Sequence, residues 1–189
     1  MQRILWPRGS LLTDFSDSAR ADVLHLGTLV EFPAGATLLR QGERAGHLFL
    51  MMAGLAKVTA DTEDGDSVLL AVRVAGDAVG ELASLDDHPR LATVSAAGLV
   101  RARRVSGSDF TAFLDRHPSA ARATARSVAA KLRWATHRRV DFKAFPVAVR
   151  LARLLVDLAA RHGERTDDGL SVGVPLQLPP PRGALPVRR

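Results

Sequence analysis

The sequence predicts a mainly β domain with flanking helices, a small barrel or jelly roll followed by a long helix and a shorter one. Three observations lead there. Residues 28 to 106 fall into short β-type runs, "TLVEF", "ATLLRQ", "HLFLMMA", "LAKVTAD", "SVLLAVRV", "ATVSAA" and "LVRARRVS", parted by turn formers such as Pro33 to Gly35, Gly42 with Glu43, Gly54, "EDGD" and Ala75 to Asp77. Seven or eight strands at that spacing suit a closed antiparallel architecture. From Pro118 the period becomes helical over a run too long for the preceding domain to cover.

Taken in order, "SDSARADVLHLG" carries Ser16 or Asp17 as an N-cap, Ala19, Val23, Leu24 and Leu26 at helical spacing, and Gly27 as a stop. "AKVTADTEDGDSVLLAV" reads as a hairpin around a glycine-containing turn. Ser108 is placed to cap "DFTAFLDRH". Along the run after Pro118, Ala125, Val128, Leu132, Ala135 and Phe142 follow three- and four-residue steps, interrupted at Arg139. Such a stripe suits either a dimer seam or packing on its own chain. Pro146 breaks the helix, since proline removes a backbone donor and clashes with the preceding turn. A second helix resumes with Val149, Leu151, Leu154, Leu155 and Leu158 on its apolar side.

Composition bounds function. A chain of 189 residues, 47% hydrophobic, has enough apolar material for one good core. The formal charge of +6 permits a nucleic-acid partner without demanding one, and the base is mostly arginine, Lys57, Lys131 and Lys143 being the only lysines. With no cysteine, disulfides, thiolate metal sites and cysteine nucleophiles are excluded. The first fifteen residues break their apolar run at Pro7, Arg8 and Gly9, and no run reaches the ~20 residues of a membrane span. A soluble, cytoplasmic protein is the expectation. Asp86, Asp87 and His88 are adjacent in one loop and poorly spaced to converge on a metal, so a polar turn is the better reading. No nucleophile and base are arranged together, and an enzyme is not expected. Trp134 is read as a core or interface aromatic.

The segment "GELASLDDHPRLATV", Gly80 to Val94, concentrates the chemistry. Gly80 lets a helical turn begin abruptly, leaving amide donors near Leu82 and Ala83 facing outward. Arg90 supplies a planar fork for phosphate. Glu81 would be repelled by phosphate, so its partner is a hydroxyl such as that of a ribose, or Arg90 itself; a structural ion pair between the two is the plainer alternative.

This segment resembles the phosphate-binding cassette of cyclic-nucleotide-binding domains. "FPAGATLLRQGERAGHLFLMMAGLAKV" and "GDSVLLAVRVAGDAVGE" are similar to that family's strands, and the run through "RRVDFKAFPVAVRLARLLVDLAARHG" is similar to the Crp/Fnr bacterial transcription regulators. The resemblance covers residues 15–177. It implies a cyclic-nucleotide-binding jelly-roll barrel over 15–116, a dimerisation helix over 117–145, and a remnant of the linker helix and start of a DNA-binding domain over 146–177. Residues 178–189 are then a disordered Pro/Arg tail.

The resemblance also implies a site. Glu81 takes a ribose 2′-hydroxyl and Arg90 the cyclic phosphate, with backbone amides around Gly80, Leu82, Ala83 and Leu91 completing the cradle. Val58 and Leu70 flank base or sugar, and Thr136 or His137 approaches the purine. Leu91 departs from the small, often hydroxylated residue of the family, which argues against guanine and favours cAMP as the effector. A ligand-independent dimerisation module with a degenerate pocket is the alternative. After "VPLQ" the chain reads "LPPPRGALPVRR" in place of a helix-turn-helix, so sequence-specific DNA binding, a family property, is not expected of this chain. Arg182, Arg188 and Arg189 would make weak, non-specific phosphate contacts at most.

Overall fold

Eight strands form two four-stranded antiparallel sheets, with helices before and after them, in the computed structural model, which describes residues 6–171 apart from 8, 45 and 168. The order along the chain is a 3-10 turn (Leu11–Asp14), α1 (Asp17–Val23), β1 (Thr28–Phe32), β2 (Thr37–Leu39), β3 (His47–Ala53), β4 (Leu55–Asp61), β5 (Ser67–Val74), β6 (Ala78–Val79), α2 (Glu81–Asp86), β7 (Thr93–Ala96), β8 (Val100–Ser106), α3 (Gly107–Arg116), α4 (Pro118–Ala144) and α5 (Val147–His162). A short pair, β9 (Glu164–Thr166) with β10 (Gly169–Ser171), closes the described chain. The sheets run β1-β8-β3-β6 and β2-β7-β4-β5; β4 and β5 form the expected hairpin, and every other pairing joins strands distant in sequence, as a jelly roll requires.

The unbroken apolar run of β3 has a direct cause. Leu48 and Leu50 face one core, packed with Val23, Phe110, Phe113 and Ala120 of the surrounding helices. Phe49 and Met51 face the other, inside the barrel, with Leu39, Val79, Val94 and Ala102. A strand buried on both faces loses the alternation of a half-exposed one. β8 and β6 divide likewise: Val105 and Ala78 turn to the helices, Val100, Ala102 and Val79 to the barrel interior.

The cap of α1 is Ser16, whose hydroxyl accepts from the Ala19 amide at 3.3 Å. The cap of α3 is Ser106, accepting from the Asp109 amide at 3.0 Å, and not Ser108. The reason is geometric: β8 runs directly into α3, so the serine at the strand end is the one with extended backbone angles. α4 opens on Pro118, where a missing amide proton costs nothing. Pro146 separates it from α5 as proline demands.

α5 returns antiparallel along α4. Arg150 lies over the Phe142 ring at 4.2 Å, Arg153 meets Asp141 at 3.3 Å, and Trp134 donates to Asp157 at 2.6 Å. Only part of the apolar side expected for α5 is covered. Leu158 is buried and Leu154 packs beside it against Val72 of β5, while Val149, Leu151 and Leu155 are exposed. The proline-rich segment 178–189 and the arginines read in it lie outside the described residues.

Candidate functional site

The cassette sits where β6 ends. Gly80 adopts φ 83°, in the left-handed region, and α2 starts at the next residue. A side chain there would collide as well as strain the backbone: a Cβ on Gly80 would lie 2.7 Å from an Arg90 terminal nitrogen and 2.8 Å from Leu39. The first turn of α2 leaves amides without intrahelical acceptors. Ser84 closes the turn by donating its hydroxyl to the Glu81 carbonyl at 2.9 Å. Asp87 ends it, also left-handed at φ 54°.

Arg90 enters the site from the loop before β7 and is 4% exposed. Its backbone is clamped to the β2–β3 turn, for the Gly42 amide donates to its carbonyl and its own amide donates to the Glu43 carbonyl, both at 2.9 Å. Its guanidinium donates to the Gly80 carbonyl at 2.6 Å and to the His47 carbonyl. Burial pulls its pKa below the ordinary arginine value, opposed by the negative charges of Glu81 and Glu43. Burial also lowers the His47 pKa below 6.5, helped by the positive charges of Arg104 and Arg90 and opposed by Glu43.

Glu81 is 5% exposed, and the structure gives it a partner that the sequence reading did not consider. Lys131 of α4 donates to its carboxylate at 2.7 Å and to the Ala78 carbonyl at 3.0 Å. Nothing in the sequence marked Lys131: it stands two helical turns beyond Thr124, whose burial on the barrel side of α4 is seen only in the structure. His47 was also missed, because its backbone carbonyl rather than its ring meets the arginine.

The remaining predicted residues are more spread out. Val58, half-buried on β4, packs against the barrel core. Leu70 is 39% exposed. The β4–β5 register passes from Val58 opposite Ala71 to Thr59 opposite Leu69, so Leu70 is the extra residue of a bulge, and alternation on β5 breaks there. Leu91 is 72% exposed beside the buried Arg90. Thr136 is exposed, donates to the Leu132 carbonyl within its own helix, and lies roughly 140° around the helix from Lys131. The fold therefore gathers Gly80, Glu81, Arg90 and Lys131 and does not bring Thr136 or His137 to the cassette of the same chain. At the rim, His88 and Asp86 form the polar turn, the ring Nδ1 lying 2.7 Å from the Asp86 carbonyl. Among the described residues no group of three or more His, Asp or Glu is placed to hold a metal, and no helix is long and apolar enough to cross a membrane.

Comparison with known proteins decides what this arrangement belongs to. Residues 29–117 match the family model "Cyclic nucleotide-binding domain". The barrel is a cyclic nucleotide-binding domain. Over 143 residues the chain is 28% identical to the "CRP-like cAMP-activated global transcriptional regulator" of Mycobacterium tuberculosis, covering 76% of this chain and 64% of that one. The chain thus spans less than two thirds of that relative's length. Among solved structures, the N-terminal domain of a transcriptional regulator from Streptomyces coelicolor A3(2) aligns with a TM-score of 0.55 at 29% identity, covering 70% of this chain and 92% of that one. The catabolite activator protein of Thermus thermophilus shares the fold, with a TM-score of 0.62 at 18% identity over 86% and 92% of the two chains.

Proposed function

We propose that this cyclic nucleotide-binding domain is the sensor of a Crp/Fnr-type regulator, takes cAMP in the cassette, and acts as a homodimer joined along α4. The observation that carries the reading is Arg90: a guanidinium 4% exposed, fixed by the Gly80 and His47 carbonyls at the start of a short helix, is a preorganised fork for one phosphate. The curated relative of Mycobacterium tuberculosis, named as cAMP-activated, supports the choice of effector.

In this reading the ribose hydroxyl approaches Glu81, which Lys131 already holds. Because Lys131 belongs to α4, ligand in the cassette and the position of the long helix share one carboxylate, and any preference of the ligand for one placement of Lys131 shifts the helix with it. The seam expected from the sequence is open to a partner: Leu132 and Phe142 are 67% and 72% exposed, and Ala125 and Ala135 are exposed beside them. Calorimetric titration with cAMP tests the proposal. Saturable heat that disappears in Arg90→Ala supports it; no heat from the parent protein favours a dimerisation module whose pocket is closed by the Glu81–Lys131 pair.

A further inference from the structure

Among the described residues, Glu81 and Arg90 are the two buried charged side chains. Arg90 keeps its charge, since the Gly80 and His47 carbonyls that it donates to are neutral. Within the cassette the two charges therefore cancel. Lys131 adds a second cation on the same carboxylate, with its ammonium 2.7 Å from Glu81 and 3.0 Å from the neutral Ala78 carbonyl. With Lys131 the cassette holds one positive charge in excess. The other ionic groups nearby stand in water: Glu43 is exposed and pairs with the exposed Arg40 at 3.5 Å, and Asp86, Asp87 and Arg44 are exposed at the rim.

A cyclic phosphodiester is a monoanion. Beside Glu81 and Arg90 alone it would leave a net negative charge in a buried site, and an uncompensated buried charge is strongly destabilising. With Lys131 in place the sum is zero.

We propose that Lys131 supplies the counter-charge that lets Glu81 take the ribose hydroxyl without repelling the phosphate held by Arg90. This rests on the cyclic-nucleotide reading of the cassette given above. Lys131 is then a positioning residue, acting through Glu81 and touching no part of the ligand. Because α4 delivers it, the cassette matches an anion only while that helix lies across it.

Calorimetric titration of the full chain with cAMP and with 2′-deoxy-cAMP, which keeps the phosphate and lacks the hydroxyl, separates the roles. Lys131→Met is expected to weaken both nucleotides at least fivefold, and Lys131→Arg to leave both within threefold of the parent. Adding Glu81→Gln to Lys131→Met removes one charge of each sign, so 2′-deoxy-cAMP should return to within threefold of the parent. A lysine that only orients Glu81 toward the hydroxyl would weaken cAMP alone. A smaller loss of 2′-deoxy-cAMP in Lys131→Met, or a larger remaining deficit in the double variant, therefore overturns the proposal. Melting by circular dichroism confirms folding. If Lys131→Met does not fold, Glu81→Gln decides with the double variant: it keeps the ammonium and should tighten 2′-deoxy-cAMP, and unchanged or weaker binding overturns the proposal. A parent that binds cAMP and not 2′-deoxy-cAMP overturns it too, since the hydroxyl would then carry the affinity. No heat from the parent with either nucleotide overturns the cyclic-nucleotide reading itself.

Discussion

Lys131 and Glu81, fifty residues apart in sequence, meet at 2.7 Å where the long helix crosses the cassette. Their side chains are 22% and 6% exposed. The carboxylate is thus nearly dry and the ammonium partly wet, so removing the lysine strands a buried negative charge. Lys131→Met is expected to destabilise the fold by about 1–3 kcal/mol, below the full penalty of a fully buried pair because water still reaches the ammonium. Adding Glu81→Gln should recover most of that loss. A urea-denaturation double-mutant cycle measures it, and additive effects would deny the coupling.

Gly80→Ala combines a strained backbone with a contact at 2.7 Å from the Arg90 guanidinium. We expect a loss of about 1–3 kcal/mol in stability, together with a weakened response to cAMP in the same titration used for Arg90. A variant as stable as the parent would show that neither the left-handed angle nor the close approach constrains the site.

Leu91 is 72% exposed, so replacing it should not disturb the core. Leu91→Ser is expected to change stability by less than about 0.5 kcal/mol. It should also tighten cAMP about tenfold, the value of one added hydrogen bond of about 1.4 kcal/mol to the phosphate. Unchanged affinity would mean that the side chain at this position does not reach the ligand.

His47 gives the fold a pH dependence of defined sign. Its folded-state pKa lies below 6.5 because burial, then Arg104 and Arg90, disfavour the imidazolium. Near its ordinary pKa the unfolded chain therefore binds more protons, and stability present above that value is lost as pH falls through the folded value. Urea denaturation at about pH 7.5 and about pH 5.5 should show the loss, and His47→Gln should reduce it. An identical difference in the variant would assign the dependence to other groups.

The exposed stripe on α4 is tested by hydrodynamics. Leu132→Asp is expected to convert a dimer to a monomer in sedimentation velocity with the melting temperature of the barrel kept, since Leu132 is 67% exposed in the single chain. A parent protein already monomeric at high concentration would sink the seam.

The strands were legible because each carries its own local signal, β-branched and apolar runs closed by glycine turns. β6 was not, for two residues between a turn and a helix hold no period. Within the site, Glu81 and Arg90 stood out because a short segment held both. Lys131 did not, because its partner is brought to it only by the packing of α4 over β6. Leu70 shows a different limit: its place on a bulge depends on the register of two strands, which hydrophobic alternation alone does not set. The Ser106 cap was missed by two residues because α3 begins at Gly107, directly where β8 ends, with no turn between strand and helix.

From Lys131 to Ala144, the end of α4, the helix extends about 20 Å at about 1.5 Å per residue. Pivoted at Lys131, it would act as a lever with its fulcrum beside the cassette. A tilt of about 10° at Lys131 would carry the far end about 3.5 Å, more than half of one helical pitch. The Arg150–Phe142 and Arg153–Asp141 contacts tie α5 to that far end. A displacement too small to disturb the barrel would thus arrive at Pro146 already magnified.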